Sequence, residues 1–139
     1  MKKIVKSIKI IKKEIIKNSK GDILKYLNKK DDIYQRFGEI YFSEVKKNKT
    51  KGWNFHKKNT CILSVPLGSV NFKIFNPKTN KLIQITIGKN NYKLVIIPPG
   101  FWFSFKSQKK ISLVANFMSS IHSKNEALKK NIINGIKIK

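Results

Sequence analysis

Residues 51–57 carry the side chains best suited to bind and act on a small polar ligand. Trp53 and Phe55 alternate there with Asn54 and His56. Successive side chains of a β-strand point to opposite faces, so we expect the two rings on one face and the two polar groups on the other. An imidazole can take up a proton, and a carboxamide can donate and accept hydrogen bonds. If a sheet closes on the polar face, both groups look into a cavity and His56 becomes a candidate base.

Acidic residues and further histidines, which other kinds of catalytic site need, are scarce around this segment. The only other histidine is His122, which we expect to be exposed or structural, and no Asp or Glu occurs between Glu44 and Glu126. A zinc or non-haem iron site needs several clustered His, Cys or carboxylate ligands, so we predict no metal and no cofactor. A Ser-His-Asp triad lacks an acid close to His56 in the sequence, although Glu39 or Glu44 could approach it in space.

The composition predicts one folded domain in a reducing compartment. The chain has 139 residues and is 40% hydrophobic, enough for a single domain with its own core, which we assign to residues 1–139. Cys61 is the only cysteine, so no internal disulfide can form. Lysines recur among the apolar residues of positions 1–17, and no apolar run reaches membrane-spanning length. We therefore predict a soluble cytoplasmic protein without a membrane partner.

The net charge of +24 has two explanations. A strongly basic domain is typical of proteins that bind nucleic acid or an anionic membrane. Of the 31 basic residues, however, only Arg36 is an arginine, the residue that makes bidentate contacts with bases and phosphates. The lysines are also spread along the whole chain, and lysine, asparagine and isoleucine share AT-rich codons. We therefore favour codon bias and keep nucleic-acid binding as the less favoured alternative.

Short apolar segments, several with period-2 alternation, recur between turns over most of the chain. Such spacing predicts an all-β protein built as an antiparallel sandwich or barrel. Residues 123–130 are the exception, because Ser123 and Glu126 have the spacing of a helix capping box and predict a short helix. The predicted strands are residues 6–16, 22–28, 39–45, 53–57, 61–67, 69–75, 82–87, 92–97, 101–105 and 111–118.

Three segments resemble motifs of the dTDP-4-dehydrorhamnose 3,5-epimerase family, in the family's order. They are Phe-Gly-Glu-Ile-Tyr-Phe-Ser at 37–43, Lys-Gly-Trp-Asn-Phe-His at 51–56 and Ile-Pro-Pro-Gly-Phe-Trp at 97–102. The second is similar to the family's Arg-Gly-x-His-Phe-Gln strand, and the third to its Ile-Pro-x-Gly-Phe strand. The resemblance covers residues 15–125 and implies a single-domain cupin jelly roll that forms homodimers. We expect residues 6–16 to pair across the dimer, because an apolar edge strand invites association.

Four positions that carry the family's chemistry differ in this chain. By the resemblance, the family's base histidine falls on Asn54, its enolate-stabilising lysine near Cys61, the histidine of the third motif on Phe103 and the tyrosine acid near Leu113. Removal and return of a proton next to a ketone need a base and an opposed acid. These changes argue against the standard double epimerisation. Asn54 remains a candidate catalytic residue that orients the ketone beside the base His56, and Cys61, Phe103 and Leu113 remain candidates for substrate binding.

Residues 51–57 also resemble the Arg-Gly-Phe-His-Ala-His-Lys strand of the dTDP-4-keto-6-deoxyhexose 3,4-ketoisomerases. The second histidine of that strand is kept as His56, which is either a lone base or a histidine that only packs in the barrel. Lys51 takes the place of the family's arginine, either as a phosphate contact or as one more solvated lysine. Trp53 and Trp102 are either platforms that stack on a base or sugar, or core aromatics.

Three functions follow, in decreasing order of preference. The first is a nucleotide-diphosphosugar isomerase or epimerase of deoxysugar or surface-polysaccharide synthesis, which acts on or binds a dTDP-4-keto-6-deoxyhexose. The second is a non-catalytic cupin that binds a sugar nucleotide or serves in assembly and has lost the acid–base pair. The third is a basic nucleic-acid-binding domain.

Overall fold

The computed structural model describes residues 5–121 and 123–137, and its regular structure within these ranges consists of β-strands. The described part contains no helix long and apolar enough to cross a membrane. In chain order the strands are β1 (Lys9–Lys12), β2 (Ile15–Ile16), β3 (Ile23–Leu24), β4 (Glu39–Lys46), β5 (Thr50–His56), β6 (Cys61–Leu67), β7 (Ser69–Asn76), β8 (Lys81–Gly88), β9 (Lys93–Ile97), β10 (Trp102–Ser107), β11 (Ile111–Met118), β12 (Ala127–Lys129), β13 (Ile132–Ile133) and β14 (Ile136–Lys137).

Two five-stranded sheets form the body of the protein, and the chain passes back and forth between them. One sheet has the order β1-β9-β6-β11-β4, and the other has the order β12-β5-β10-β7-β8. From β4 to β12 each connection crosses to the opposite sheet, apart from the β7–β8 hairpin. The pairings within both sheets are antiparallel. This jelly-roll arrangement confirms the predicted all-β fold.

The facing sides of the two sheets enclose the main core. The period of two along β7 turns every second side chain inward, so Val70, Phe72 and Ile74 are buried while Asn71 and Lys73 are only partly covered. Burial of one such apolar side chain contributes about 1.5–3 kcal/mol. A slip by one residue would turn the whole apolar set outward, so the core fixes the register of the strands.

Further apolar clusters cover the outer faces of the sheets. On β5, Trp53 packs against Ile133 of the β13–β14 hairpin, and its indole donates a hydrogen bond to Ile136 O (3.1 Å). The hairpin turns at Asn134 and Gly135, which both have positive φ, as a two-residue hairpin turn requires. The aromatic face of β5 is thus covered from outside, and its polar face is turned inward.

The predicted helix over residues 123–130 is wrong. These residues form a turn, in which the Glu126 amide donates to Ser123 O (3.1 Å), followed by β12, which pairs with β5. The Glu126 side chain turns into the protein, where it accepts hydrogen bonds from buried groups. The capping box fails because these groups take the carboxylate that it needs, and because β5 offers the next residues an edge with which to pair.

The predicted N-terminal strands are shorter than the sequence pattern indicated. Residues 6–16 contain β1 and the two-residue β2, and β3 is the strand within residues 22–28. β2 and β3 pair with each other around a turn in which the Gly21 amide donates to Asn18 O (3.0 Å). Of these three strands, β1 alone joins a main sheet, through β9. The neighbouring apolar residues instead pack on the outer face of that sheet.

Candidate functional site

A cavity of about 530 Å³ lies between the two sheets, lined mainly from β4, β5, β10, β11 and β12. Asn54 and His56 both line it, as the alternation along β5 predicts. Lys51 and Phe103 line it as well. Small-molecule sites commonly have volumes of roughly 300–1,000 Å³, so the cavity has room for a sugar.

Gly52 lets β5 run close to β10 beside this cavity. Its φ is +117°, a conformation that other L-residues rarely adopt, and a Cβ at this position would lie 2.7 Å from Phe103 O. The pairing of β5 with β10 shifts register between Phe103 and Phe105. The strand therefore carries a β-bulge at its glycine, and bulges re-aim the side chains beside them.

A buried histidine–glutamate pair stands in the cavity wall. His56 Nδ1 lies 2.6 Å from Glu126 Oε1 and 3.2 Å from Oε2, and the two residues are 5% and 6% exposed. Glu126 Oε1 also accepts from Asn59 Nδ2 (2.7 Å), and Oε2 accepts from the Lys57 amide (3.0 Å). An ionised carboxylate can only accept, so a neutral His56 donates Nδ1–H and carries its lone pair on Nε2.

The surroundings of Glu126 keep its carboxylate ionised. Burial raises the pKa of Glu126, but the hydrogen bond and charge interaction with His56, helped by Asn59 and the Lys57 amide, outweigh burial and lower the pKa below its ordinary value. A carboxylate beside Nδ1 fixes the tautomer and stabilises the imidazolium that forms when Nε2 takes a proton. The pair therefore has the arrangement of a general base with its orienting acid.

Phe103 supports the imidazole from its face. The two rings are nearly parallel, with centroids 6.1 Å apart and planes 19° apart. Phe103 is itself 2% exposed and belongs to the main core. The His56 ring is thus held at one edge by a hydrogen bond and on one face by a ring that has little room to move.

Hydrogen-bonding groups from β4 and β11 line the cavity on the sheet opposite β5. Asn116 Nδ2 donates to Tyr41 OH (3.1 Å), and Lys51 Nζ, from β5, donates to Ser43 Oγ (2.9 Å). Partial burial raises the pKa of Tyr41, against the hydrogen bond from Asn116, so the phenol stays protonated. Asn116 is 3% exposed, and its Oδ1 has no hydrogen-bond partner within the described part of the chain. A buried acceptor without a partner is energetically costly.

Three residues that we predicted to bind substrate do not line the cavity. Trp53 packs in the outer cluster, and Leu113 is half-buried next to Val114, which does line the cavity. Cys61 is fully buried in the main core, where burial raises the pKa of its thiol to about 12. The role of these three residues in binding stays a prediction. His122 lies outside the described residues.

The structure adds four residues that sequence reasoning did not assign to the site: Glu126, Tyr41, Asn116 and Asn59. Tyr41 had a usable signal, because the alternation over residues 39–45 places it on one face with other polar groups. Glu126 had a weak signal as the first acid after a long stretch without any. Glu126 and His56 are 70 positions apart in the sequence, so no local pattern could predict their contact.

The described site is equipped for acid–base chemistry. Within residues 5–121 and 123–137, no three His, Cys, Asp or Glu side chains gather as ligands for a metal ion. The polar side chains that line the cavity carry an imidazole, a phenol, carboxamides, ammonium groups, hydroxyls and the carboxylate of Glu39. That the protein works without a metal or cofactor stays a prediction.

Comparison with known proteins finds relatives among solved structures. No protein-family model and no curated protein matches the sequence. The dTDP sugar isomerase of Desulfovibrio desulfuricans is 30% identical to this chain, with a TM-score of 0.86. The match covers 91% of this chain and 85% of the isomerase.

Two further structures share the fold at lower identity. One is the dTDP-6-deoxy-D-glucose-3,5-epimerase RmlC of Legionella pneumophila with dTDP-4-keto-L-rhamnose, at 17% identity and a TM-score of 0.82 over 96% of this chain and 78% of that chain. The other is a variant of the 3,4-ketoisomerase QdtA of Thermoanaerobacterium thermosaccharolyticum with TDP-4-keto-6-deoxyglucose, at 21% identity and a TM-score of 0.77 over 91% and 90%. With its identity to the Desulfovibrio isomerase extending over most of both molecules, the chain belongs to the RmlC-like cupin family.

Proposed function

We propose that this protein is a nucleotide-diphosphosugar isomerase or epimerase of deoxysugar or surface-polysaccharide synthesis. Its substrate is a dTDP-4-keto-6-deoxyhexose held in the cavity between the sheets. The observation that carries the proposal is the His56–Glu126 pair, a base with its orienting acid in the wall of a sugar-sized cavity. The names of the related structures, two of them in complex with keto sugars, support the same substrate class.

The proposed chemistry starts at the carbon next to the sugar's ketone, where loss of a proton gives an enolate. His56 Nε2 takes this proton, and Glu126 stabilises the imidazolium that results. The enolate oxygen gains negative charge, which the donors of Asn54 and Tyr41 in the cavity wall stabilise. Return of the proton to the former ketone carbon, as the hydroxyl proton moves to the former ketone oxygen, shifts the ketone by one position.

The position of the base favours isomerisation over 3,5-epimerisation. The base histidine of the epimerases falls on Asn54, whereas His56 lies two residues further along the same strand face, about 7 Å away. A carboxamide cannot take a proton, so the proton would be removed at a different place on the sugar. One base can move a proton between adjacent carbons on one face, whereas inversion needs an acid on the opposite face.

Lys51 and Lys129 supply positive charge for the diphosphate of the substrate. Both line the cavity, from the neighbouring strands β5 and β12. An ammonium group is a point charge with several donors, suited to phosphate oxygens. The net charge of +24 also attracts an anionic substrate to the protein as a whole.

The proposed active form is a cytoplasmic homodimer. β1 and β4 are the outer strands of one sheet, and Ile10, Ile40 and Phe42 on them are 39%, 44% and 64% exposed. Outer strands with exposed apolar side chains favour pairing with a second copy. A single cysteine, Cys61, fits a reducing compartment.

The second candidate function is a non-catalytic cupin that binds a sugar nucleotide. Asn54 favours it, because this residue stands in the cavity where the family's base falls and cannot transfer a proton. The cavity volume and the two lysines would serve binding without catalysis equally well.

Exchange of solvent deuterium into dTDP-4-keto-6-deoxyglucose separates the two candidates. We expect exchange next to the ketone with the wild type and a fall by about 10²–10⁴-fold in His56→Ala. Lys58→Ala, which changes a nearby exposed side chain, should exchange like the wild type. A rise in melting temperature with the nucleotide sugar but no exchange would support binding alone. Exchange that survives His56→Ala would rule out His56 as the base. Absence of both exchange and a melting shift in the wild type would rule out both candidate functions.

A further inference from the structure

Asn59 lies behind the histidine–glutamate pair and is fully buried between β5 and β6. Its Nδ2 donates to Glu126 Oε1 (2.7 Å). Its Oδ1 accepts from the Ser120 amide (2.9 Å), the Ser120 hydroxyl (2.5 Å) and, more distantly, the Ser119 hydroxyl (3.5 Å). One side chain thus joins the loop after β5, the turn after β11 and the residue that precedes β12.

The orientation of the Asn59 amide follows from its partners. A backbone N–H can only donate, so the Asn59 atom that faces the Ser120 amide must be the oxygen. The amino group therefore faces Glu126. A donor aimed at a carboxylate favours its ionised form, the form that accepts Nδ1–H from His56.

Asn59 completes the set of contacts that fixes the Glu126 carboxylate. The Lys57 amide holds Oε2 at 3.0 Å, and Asn59 holds Oε1 at 2.7 Å. The terminal torsion of a glutamate has broad preferences, so one held oxygen leaves the carboxylate free to rotate about it. With both oxygens held, the plane of the Glu126 carboxylate is fixed. The orientation of this plane determines the position of the oxygen that accepts from His56 Nδ1.

We propose that Asn59 is the positioning residue of the base, which holds Glu126 so that His56 stays in the Nδ1–H tautomer with Nε2 as its basic atom. The link to catalysis rests on the proposed function, but the tautomer can be measured without any substrate. A residue that served only stability would change the melting temperature and leave the tautomer alone. Asn59 changes both.

The test is a ¹⁵N spectrum of the His56 side chain at alkaline pH, where imidazoles are neutral, together with the deuterium-exchange rate. In the wild type we expect the Nδ1–H tautomer alone. In Asn59→Leu we expect a mixture of tautomers and exchange slowed by about 10–100-fold, the usual effect of removing a group that orients a histidine at a metal site. Ser112→Ala is the control, because Ser112 is buried and hydrogen-bonded but does not line the cavity. It should lower the melting temperature and keep the tautomer.

Each outcome decides the proposal. A wild-type His56 with Nε2–H, or a mixture of tautomers, would overturn it before any variant is made. An Asn59→Leu protein that keeps the single tautomer would overturn it as well. If that variant does not fold, Asn59→Ser replaces it, since the shorter side chain cannot reach Ser120 and Glu126 together. Absence of exchange in the wild type would count against the proposed function only, and the tautomer would still decide the role of Asn59.

Discussion

Glu126 gives His56 the partner that a buried base needs. The carboxylate receives three hydrogen bonds, from His56, Asn59 and the Lys57 amide. Each donor favours the ionised form, and their sum outweighs the cost of burial. At the scale of the residue, these hydrogen bonds hold Glu126 in place as an ionised partner of His56.

The lowered pKa of Glu126 predicts how stability depends on pH. Its ordinary value is 4.5, and the folded value lies below that. A carboxyl whose pKa is depressed by folding stabilises the protein above the unfolded value, and this stabilisation is lost as the pH falls through the folded value. We expect the melting temperature of the wild type to fall on acidification below about pH 5 more steeply than that of Glu126→Gln. Circular dichroism melts across that range give the two curves, and parallel curves would contradict this account of the carboxylate.

Lys51 allows a second prediction at the residue scale. A ligand that binds only the folded state stabilises it by about 2.7 kcal/mol at a hundredfold excess over Kd, which raises the melting temperature by several degrees. We expect dTDP to raise the melting temperature of the wild type, and to raise it less in Lys51→Ala, because the variant lacks the ammonium group that is proposed to contact the phosphates. Lys78→Ala, which changes an exposed lysine in the β7–β8 turn, is the control. Equal shifts in Lys51→Ala and the wild type would remove Lys51 from the binding site.

Among the elements, β5 does most to form the site. Its covered aromatic face holds it in place, its bulge at Gly52 adjusts its path, and its polar face supplies Asn54 and His56 to the cavity. β12 then pairs with it, which brings the preceding residue Glu126 against His56. The histidine–glutamate pair thus depends on a strand pairing as well as on its residues.

Gly52→Ala should destabilise the protein by more than the strain of a positive φ alone, because the added Cβ also clashes with β10. A non-glycine residue at φ +117° is strained, typically by about 1–3 kcal/mol, and its Cβ would also meet Phe103 O at 2.7 Å. Gly100 is the matched control, because its φ is +95° and nothing lies within 4 Å of the Cβ position. Denaturant unfolding should show a larger loss for Gly52→Ala than for Gly100→Ala. Equal losses would mean that the approach of β10 does not matter.

The whole molecule encloses a cavity between two sheets and leaves apolar residues exposed on the outer strands. If β1 or β4 pairs with a second copy, light scattering at micromolar concentration should give twice the chain mass. Ile10→Lys tests β1 and Phe42→Lys tests β4, since each places a charge on a side chain that is exposed in the single chain. The variant at the true interface should be monomeric. A monomeric wild type would contradict the dimer.

The charge of the whole molecule allows a prediction about nucleic acid. If codon bias produced the +24 charge, binding to duplex DNA should be weak, independent of sequence and lost by about 0.2 M salt, because it rests on counterion release alone. Fluorescence anisotropy with two unrelated duplexes over a salt series measures this. Tight binding that distinguishes the duplexes at physiological salt would restore the nucleic-acid alternative.

The sequence by itself determined which faces of the strong strands are buried. The alternation of Trp53 and Phe55 with Asn54 and His56 is a local property of an extended chain, so it predicted the inward polar face that the structure has. The strand over residues 61–67 was also predicted at its observed bounds, although it does not alternate, because Gly68 marks its end. Tyr41 was within reach of the argument from alternation.

Only the tertiary structure decided which distant residues meet. The spacing of Ser123 and Glu126 favours a helix locally, but the buried donors around Glu126 and the edge of β5 stabilise a turn and a strand instead. The N-terminal apolar residues divide between a sheet strand and the cluster on the outer face of that sheet, because only residues 9–12 pair with β9. The contact of His56 with an acid 70 positions away arises only when β12 pairs with β5, so no local pattern encodes it.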